Sequence, residues 1–178
     1  LDLAKKIEDS GADSLAIKDM AGLLRPFDAY DLVSSLKENL SIPIHMQTHA
    51  TTGMSTATNM KAIEAGIDNI DTSISSLSMT YGHTATETML AIFEGQDREI
   101  NLDLDSLEEV SNFFKEIREK YSEFEGSLKG VDSTMLVKQV PGGMLSNLES
   151  QLRANKQEDK IDLVKDEIPK VREDFGFP

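Results

Sequence analysis

The stretch "SLAIKDMAGLLRPFDAYDLVSSLKENLSIPIHMQTH", residues 14–49, runs from a short apolar segment through a helical pattern into a second short apolar segment. The outer segments, 14–19 and 42–49, are rich in aliphatic residues and too short for helices, so they read as strands. A third segment of this kind, "NIDTSIS" at 69–75, begins about 27 residues after the second, repeating the interval between the first two. Helical patterns follow each of them, at 27–40, 54–66 and 84–93. A strand–helix unit of this length returns each strand parallel to the last, with the helix as crossover. The fold class is therefore α/β.

Beyond residue 100 the character changes. "DSLEEVSNFFKEIREKYSEF" places Leu107, Val110, Phe113, Phe114, Ile117 and Tyr121 at helical spacing, with Asp105 and Glu108 as a cap pair. A loop-rich connection follows, punctuated by Gly126, Gly130 and "PGG" at 141–143. Two more helices are expected at 144–155 and 159–176, the second bent or interrupted at Pro169. The expected division is a β/α array over 1–100 and a helical extension over 101–178. The opening "LDLAKKIEDSGADSL" reads as the last turns of a helix closed by Gly11, and the expectation is an internal fragment.

Composition narrows the partners. With 178 residues the chain can bury a sizeable core, and 39% hydrophobic residues suit a globular domain. A formal charge of −14 repels phosphate backbones and anionic lipid, which argues against nucleic acid and membrane surfaces. There is no cysteine, so disulfides and thiolate metal ligands are excluded. No apolar run approaches the ~20 residues that span a bilayer. Cytoplasm is the default compartment.

Parallel α/β folds bind ligands at the carboxyl ends of their strands. Lys18-Asp19, the edge formed by His45, Gln47 and His49, and the run Asp71-Thr72-Ser73 all fall there. Residues at i and i+2 of a strand share a face, so Gln47 and His49 could hold one divalent ion through an amide oxygen and an imidazole. Alternatively, one histidine caps a loop and the other is a hydrogen-bonded core residue. Lys18 ends an apolar run. If buried, its amine is neutral enough to react with a carbonyl or with carbon dioxide; otherwise it reaches solvent and pairs with Asp19. His83, in "TYGHTATE", either lines a pocket or caps a helix.

The segments "GADSLAIKDMAGLLRP", "IHMQTHATTG", "MKAIEAGIDNIDTSISSLS" and "VPGGMLSNLESQLR" together resemble the carboxyltransferase domain of biotin-dependent enzymes acting on pyruvate and oxaloacetate. That family holds the oxaloacetate decarboxylase alpha subunit, the transcarboxylase subunit and pyruvate carboxylase. The resemblance runs from Gly11 to Pro178 and implies the C-terminal part of a (β/α)8 TIM barrel followed by a mostly helical extension. It implies that Lys18 becomes a carbamate by taking up carbon dioxide and binds a divalent metal (zinc, cobalt or manganese). The family's H-x-H ligand pair falls on Gln47 and His49, so glutamine stands where the family has histidine. The family's proton-shuttling threonine falls on Ser133, with Thr134 adjacent.

The resemblance further implies transfer of a carboxyl group between biotin and a 2-keto acid, with the metal stabilising the pyruvate enolate. Implied partners are pyruvate or oxaloacetate, a biotinylated carrier domain or subunit, a homo-oligomer of the full-length enzyme, and membrane-bound subunits in the decarboxylase branch. The fragment by itself is expected to be inactive. Two rivals remain at this point. One is a metal-dependent lyase or Claisen-type synthase barrel. The other is a metal-free module that docks the biotin carrier, favoured by the departures at Gln47 and Ser133.

Overall fold

The computed structural model describes residues 1–97, 100–138 and 142–176. The first part runs α1 (Asp2–Asp9), β1 (Leu15–Asp19), α2 (Pro26–Asn39), β2 (Ile44–Thr48), α3 (Ser55–Glu64), β3 (Asn69–Ile70) and α4 (Thr86–Phe93). The strands form one parallel sheet in the order β1-β2-β3, with Leu15 opposite Ile44 and Met46 opposite Ile70. Alternation then sorts the side chains. Leu15, Ile17, Ile44, Met46 and Ile70 pack with Ala4, Ala29, Val33, Leu36 and Ala62 of α1, α2 and α3. Ala16, Lys18, His45, Gln47 and Asn69 are left to the opposite face. Ile44 and Met46 are fully buried, so truncating either to alanine removes roughly 2–5 kcal/mol.

Local chemistry sets the element ends. Pro26 opens α2, where its fixed φ suits the first turn and its missing N–H costs nothing. The Asp19 carboxylate, at the end of β1, accepts from Leu23 N, Leu24 N and Thr48 Oγ1 at 3.0, 3.0 and 2.8 Å. It thereby holds the turn into α2 and clamps that turn to β2.

β3 is shorter than the sequence predicts. Ser73 leaves β2 and bridges Ala85 instead, donating its N–H to Thr84 O and accepting from Thr86 N. The chain after Asp71 therefore folds against the start of α4.

The second part holds α5 (Leu104–Lys120), α6 (Thr134–Lys138), α7 (Gly142–Ala154) and α8 (Ile161–Asp174). The cap of α5 is Asp103 rather than the expected pair Asp105 and Glu108: its carboxylate accepts from Ser106 Oγ and Ser106 N at 2.6 and 2.8 Å, and these bonds hold its pKa below the ordinary range. α6 was not expected in the loop-rich connection. α8 runs through Pro169, which removes one backbone donor without ending the helix. Arg118 of α5 donates to Ser76 O at 2.7 Å and pairs with Glu125, tying the extension to the loop after β3. Among the described residues no helix is long and apolar enough to cross a membrane.

One carboxylate joins α1 to the sheet. Glu8 Oε1 accepts from Ser41 Oγ, Ser41 N and Ile42 N at 2.6, 2.7 and 3.2 Å, and these bonds lower its pKa. A folded-state pKa below the unfolded one stabilises the fold above about pH 4.3, and that contribution is lost as the pH falls through the lowered value. Urea unfolding of Glu8→Gln should accordingly give a smaller loss of stability than wild type between pH 5 and about 3. Parallel acid profiles for the two proteins would mean that Glu8 contributes nothing to the acid sensitivity of the fold.

Candidate functional site

Register carries the lysine and the glutamine to the same place. Lys18 of β1 pairs with Gln47 of β2, so the two side chains stand side by side on the face away from the helices. His49 prolongs the edge, its N–H donating to Asp19 O at 3.1 Å as a further rung of the ladder. Gln47 is only 8% exposed, and its Oε1 is buried without a hydrogen-bond partner. An unpaired buried amide oxygen is costly, and this one is free to accept a bond.

Of the two readings of Lys18 the structure bears out the solvent-reaching one: its side chain is exposed. It does not pair with Asp19, whose oxygens serve the turn and Thr48. β1 is an edge strand of this sheet and leaves Lys18 covered on one side only. His45 lies outside the site: its Nε2–H donates to Asp71 Oδ1 at 2.6 Å.

The third histidine joins the site. Along β2 the carbonyls of Ile44 and Met46 accept backbone N–H groups from Asp68 and Asp71, at 3.1 and 2.8 Å. β3 has ended by the next acceptor, Thr48 O, and the Nδ1–H of His83 takes it at 2.9 Å. In return the Nδ1–H of His49 donates to Tyr81 O at 2.6 Å, and Ala50 N donates to Gly82 O at 2.9 Å. The two rings lie 4.7 Å apart with a 37° tilt. His83 therefore lines the site, and Ala85, not His83, occupies the cap position of α4.

A carbonyl only accepts, so both neutral imidazoles carry hydrogen on Nδ1 and a lone pair on Nε2. The turn presenting Tyr81 and His83 contains Met79 at φ 61° and Thr80 at φ 48°, left-handed conformations that cost non-glycine residues roughly 1–2 kcal/mol each. Among the described residues no three His, Cys, Asp or Glu side chains cluster as a metal site.

The helical extension closes over the strand ends. Asp132 N donates to Thr51 O at 2.9 Å, and Met135 is buried just beyond. Val131 sits on Gly53, where a Cβ would come within 3.0 Å of its Cγ2. These contacts anchor the 131–133 strap to the loop after β2, with Ser133 exposed beside it. The side chain of Thr134 and all of Pro141, which opens "PGG", lie outside the described residues. Tyr81, which the sequence reading did not single out, packs its ring against Gly126. Burial, with Glu149 and Asp132 nearby, raises its phenol pKa, so it stays neutral at physiological pH.

The parallel β/α array strapped by a helical extension is shared with the carboxyl transferase domain of pyruvate carboxylase. The chain belongs to the HMGL-like family, whose profile matches residues 1–114, and it carries the conserved carboxylase domain over 135–178. It is 48% identical to the methylmalonyl-CoA carboxyltransferase 5S subunit of Propionibacterium freudenreichii subsp. shermanii, over 99% of this chain and 35% of that protein. It is 46% identical to a pyruvate carboxylase subunit of Methanocaldococcus jannaschii, over 100% of this chain and 32% of that one. The carboxyl transferase domain of Rhizobium etli pyruvate carboxylase, solved with pyruvate and biocytin, superposes with a TM-score of 0.93 at 34% identity, over 99% of this chain and 30% of that one. The chain thus spans about a third of the length of these two relatives, and its α/β array corresponds to part of the TIM barrel.

Gly53 tests the strap. At φ +84° it occupies a conformation that disfavours a side chain, and a methyl would press on Val131. Gly53→Ala should destabilise the fold by about 1–2 kcal/mol and speed hydrogen exchange at the Asp132 amide. Unchanged exchange there would mean that the strap does not depend on this contact.

Proposed function

We propose that the full-length protein containing this chain transfers a carboxyl group between biotin on a carrier and a 2-keto acid of the pyruvate/oxaloacetate kind. The observation that carries the reading is the convergence of Lys18, Gln47 and His49 at one strand edge, with the Gln47 oxygen buried and unspent and His49 fixed as an Nε2 donor. The conserved carboxylase match over 135–178 favours this over a lyase or Claisen-type barrel. On this reading residues 1–100 are barrel and 101–178 the extension that covers its mouth.

The donor set fits a borderline divalent ion such as zinc, cobalt or manganese: imidazole nitrogen, amide oxygen, and the carbamate oxygen that Lys18 gains by taking up carbon dioxide. When bound, such an ion supplies Lewis-acid stabilisation of charge on the 2-keto oxygen. Tyr81 O fixes the tautomer of His49, as carbonyl partners of ligating histidines do. Register with Gln47 holds Lys18 beside the amide oxygen.

In the decarboxylating direction the C–C bond to the departing carboxylate breaks, and its electron pair stays on the substrate. The carboxylate joins the ureido nitrogen of biotin, and the proton lost from that nitrogen passes to the substrate carbon through the hydroxyl of Ser133 or Thr134. The bond from Asp132 N to Thr51 O, next to Ser133 in the chain, supports this assignment.

In the full-length enzyme Lys18→Ala should abolish oxaloacetate decarboxylation, and Ser133→Ala should lower kcat by about 10²–10⁴-fold, as loss of a proton-transfer group does, if Thr134 does not substitute. Decarboxylation is followed by coupled reduction of the pyruvate released. Turnover like wild type in Lys18→Ala would sink the lysine assignment.

A further inference from the structure

His83 has no part in the function proposed above, yet three observations join it to that site. Its ring lies 4.7 Å from His49. Each ring commits Nδ1–H to the other's loop, His83 to Thr48 O and His49 to Tyr81 O, so both keep the Nε2 lone pair. Gln47 Oε1, two residues before His49, is buried and unpartnered. Two imidazoles sharing one ion, with metal–nitrogen bonds of about 2.0–2.1 Å, have ring centroids roughly 4.5–5.2 Å apart. The observed separation falls inside that span.

We propose that His83 is a metal ligand: its Nε2 joins that of His49 and supplies the second imidazole where Gln47 offers only an amide oxygen. The centre then keeps two imidazole nitrogens, one of them delivered by the loop after β3 in place of the strand residue. The strained turn at Met79 and Thr80 serves that delivery. This inference rests on the metal reading of the site, and its test separates the two.

Full-length protein is stripped with chelator and titrated with Co²⁺ alone by equilibrium dialysis. His83→Asn keeps an N–H at the Nδ1 position for Thr48 O and has no atom at Nε2, so a merely structural role would survive the change. Its Co²⁺ affinity should fall about tenfold or more, its melting temperature should hold, and adding Gln47→His should recover the affinity. Affinity within twofold of wild type in His83→Asn, with loss in His49→Asn, would overturn the His83 ligand and leave the metal site standing. Retention in both variants would overturn both. If His83→Asn fails to fold, pulsed electron paramagnetic resonance of Mn²⁺-loaded wild type decides: two coordinated imidazoles support the proposal, and one overturns it.

Discussion

The carbonyl of Thr48 lies one step beyond the end of β3, and the rest of the site depends on what bonds it. A buried acceptor at a strand end needs a donor. Here the donor is an imidazole, and the imidazole arrives on a loop that accepts twice from the residues just after β2, His49 at Tyr81 O and Ala50 at Gly82 O. This exchange fixes the direction of His49, the tautomer of both rings and the path of residues 79–83. The left-handed conformations of Met79 and Thr80 persist because three cross-loop bonds over-determine them.

The extension depends on the same loops from above. Tyr81 places its carbonyl on His49 and its ring on Gly126, so one residue serves both the strand end and the strap. Asp132 bonds to Thr51 and Val131 rests on Gly53, so the loop after β2 is held from the loop after β3 on one side and from the extension on the other. Arg118, bonded to Ser76 O and Glu125, anchors α5 to the turn that precedes Tyr81. The loops after β2 and β3 and the extension therefore pack against one another.

Much of this was legible in the sequence, because period and spacing report directly on strands and helices. The three β/α units, the parallel order and the position of Lys18 and Gln47 at the carboxyl ends of their strands follow from a repeat of about 27 residues. The end of β3 did not, since "NIDTSIS" keeps its strand pattern while Ser73 changes partner to Ala85. Asp103 was missed as a cap because Asp105 and Glu108 offer an equally good local pattern, and only geometry decides which carboxylate meets Ser106 N. His83 stood between two readings because its partner, Thr48 O, is 35 residues away in the chain and becomes an open acceptor only when β3 ends early. Lys18 kept its strand position and, of its two readings, took the solvent-reaching one without the Asp19 pair, because the face it occupies is open beside an edge strand.

On the function proposed, the edge bearing Lys18, Gln47 and His49 is a metal edge despite its glutamine. Elemental analysis of full-length protein, purified without chelator or added metal, tests this most directly. About one zinc, cobalt or manganese per chain is the expected result, lost from a His49→Ala variant. Metal-free protein that still transfers carboxyl groups at full rate in excess chelator would contradict it.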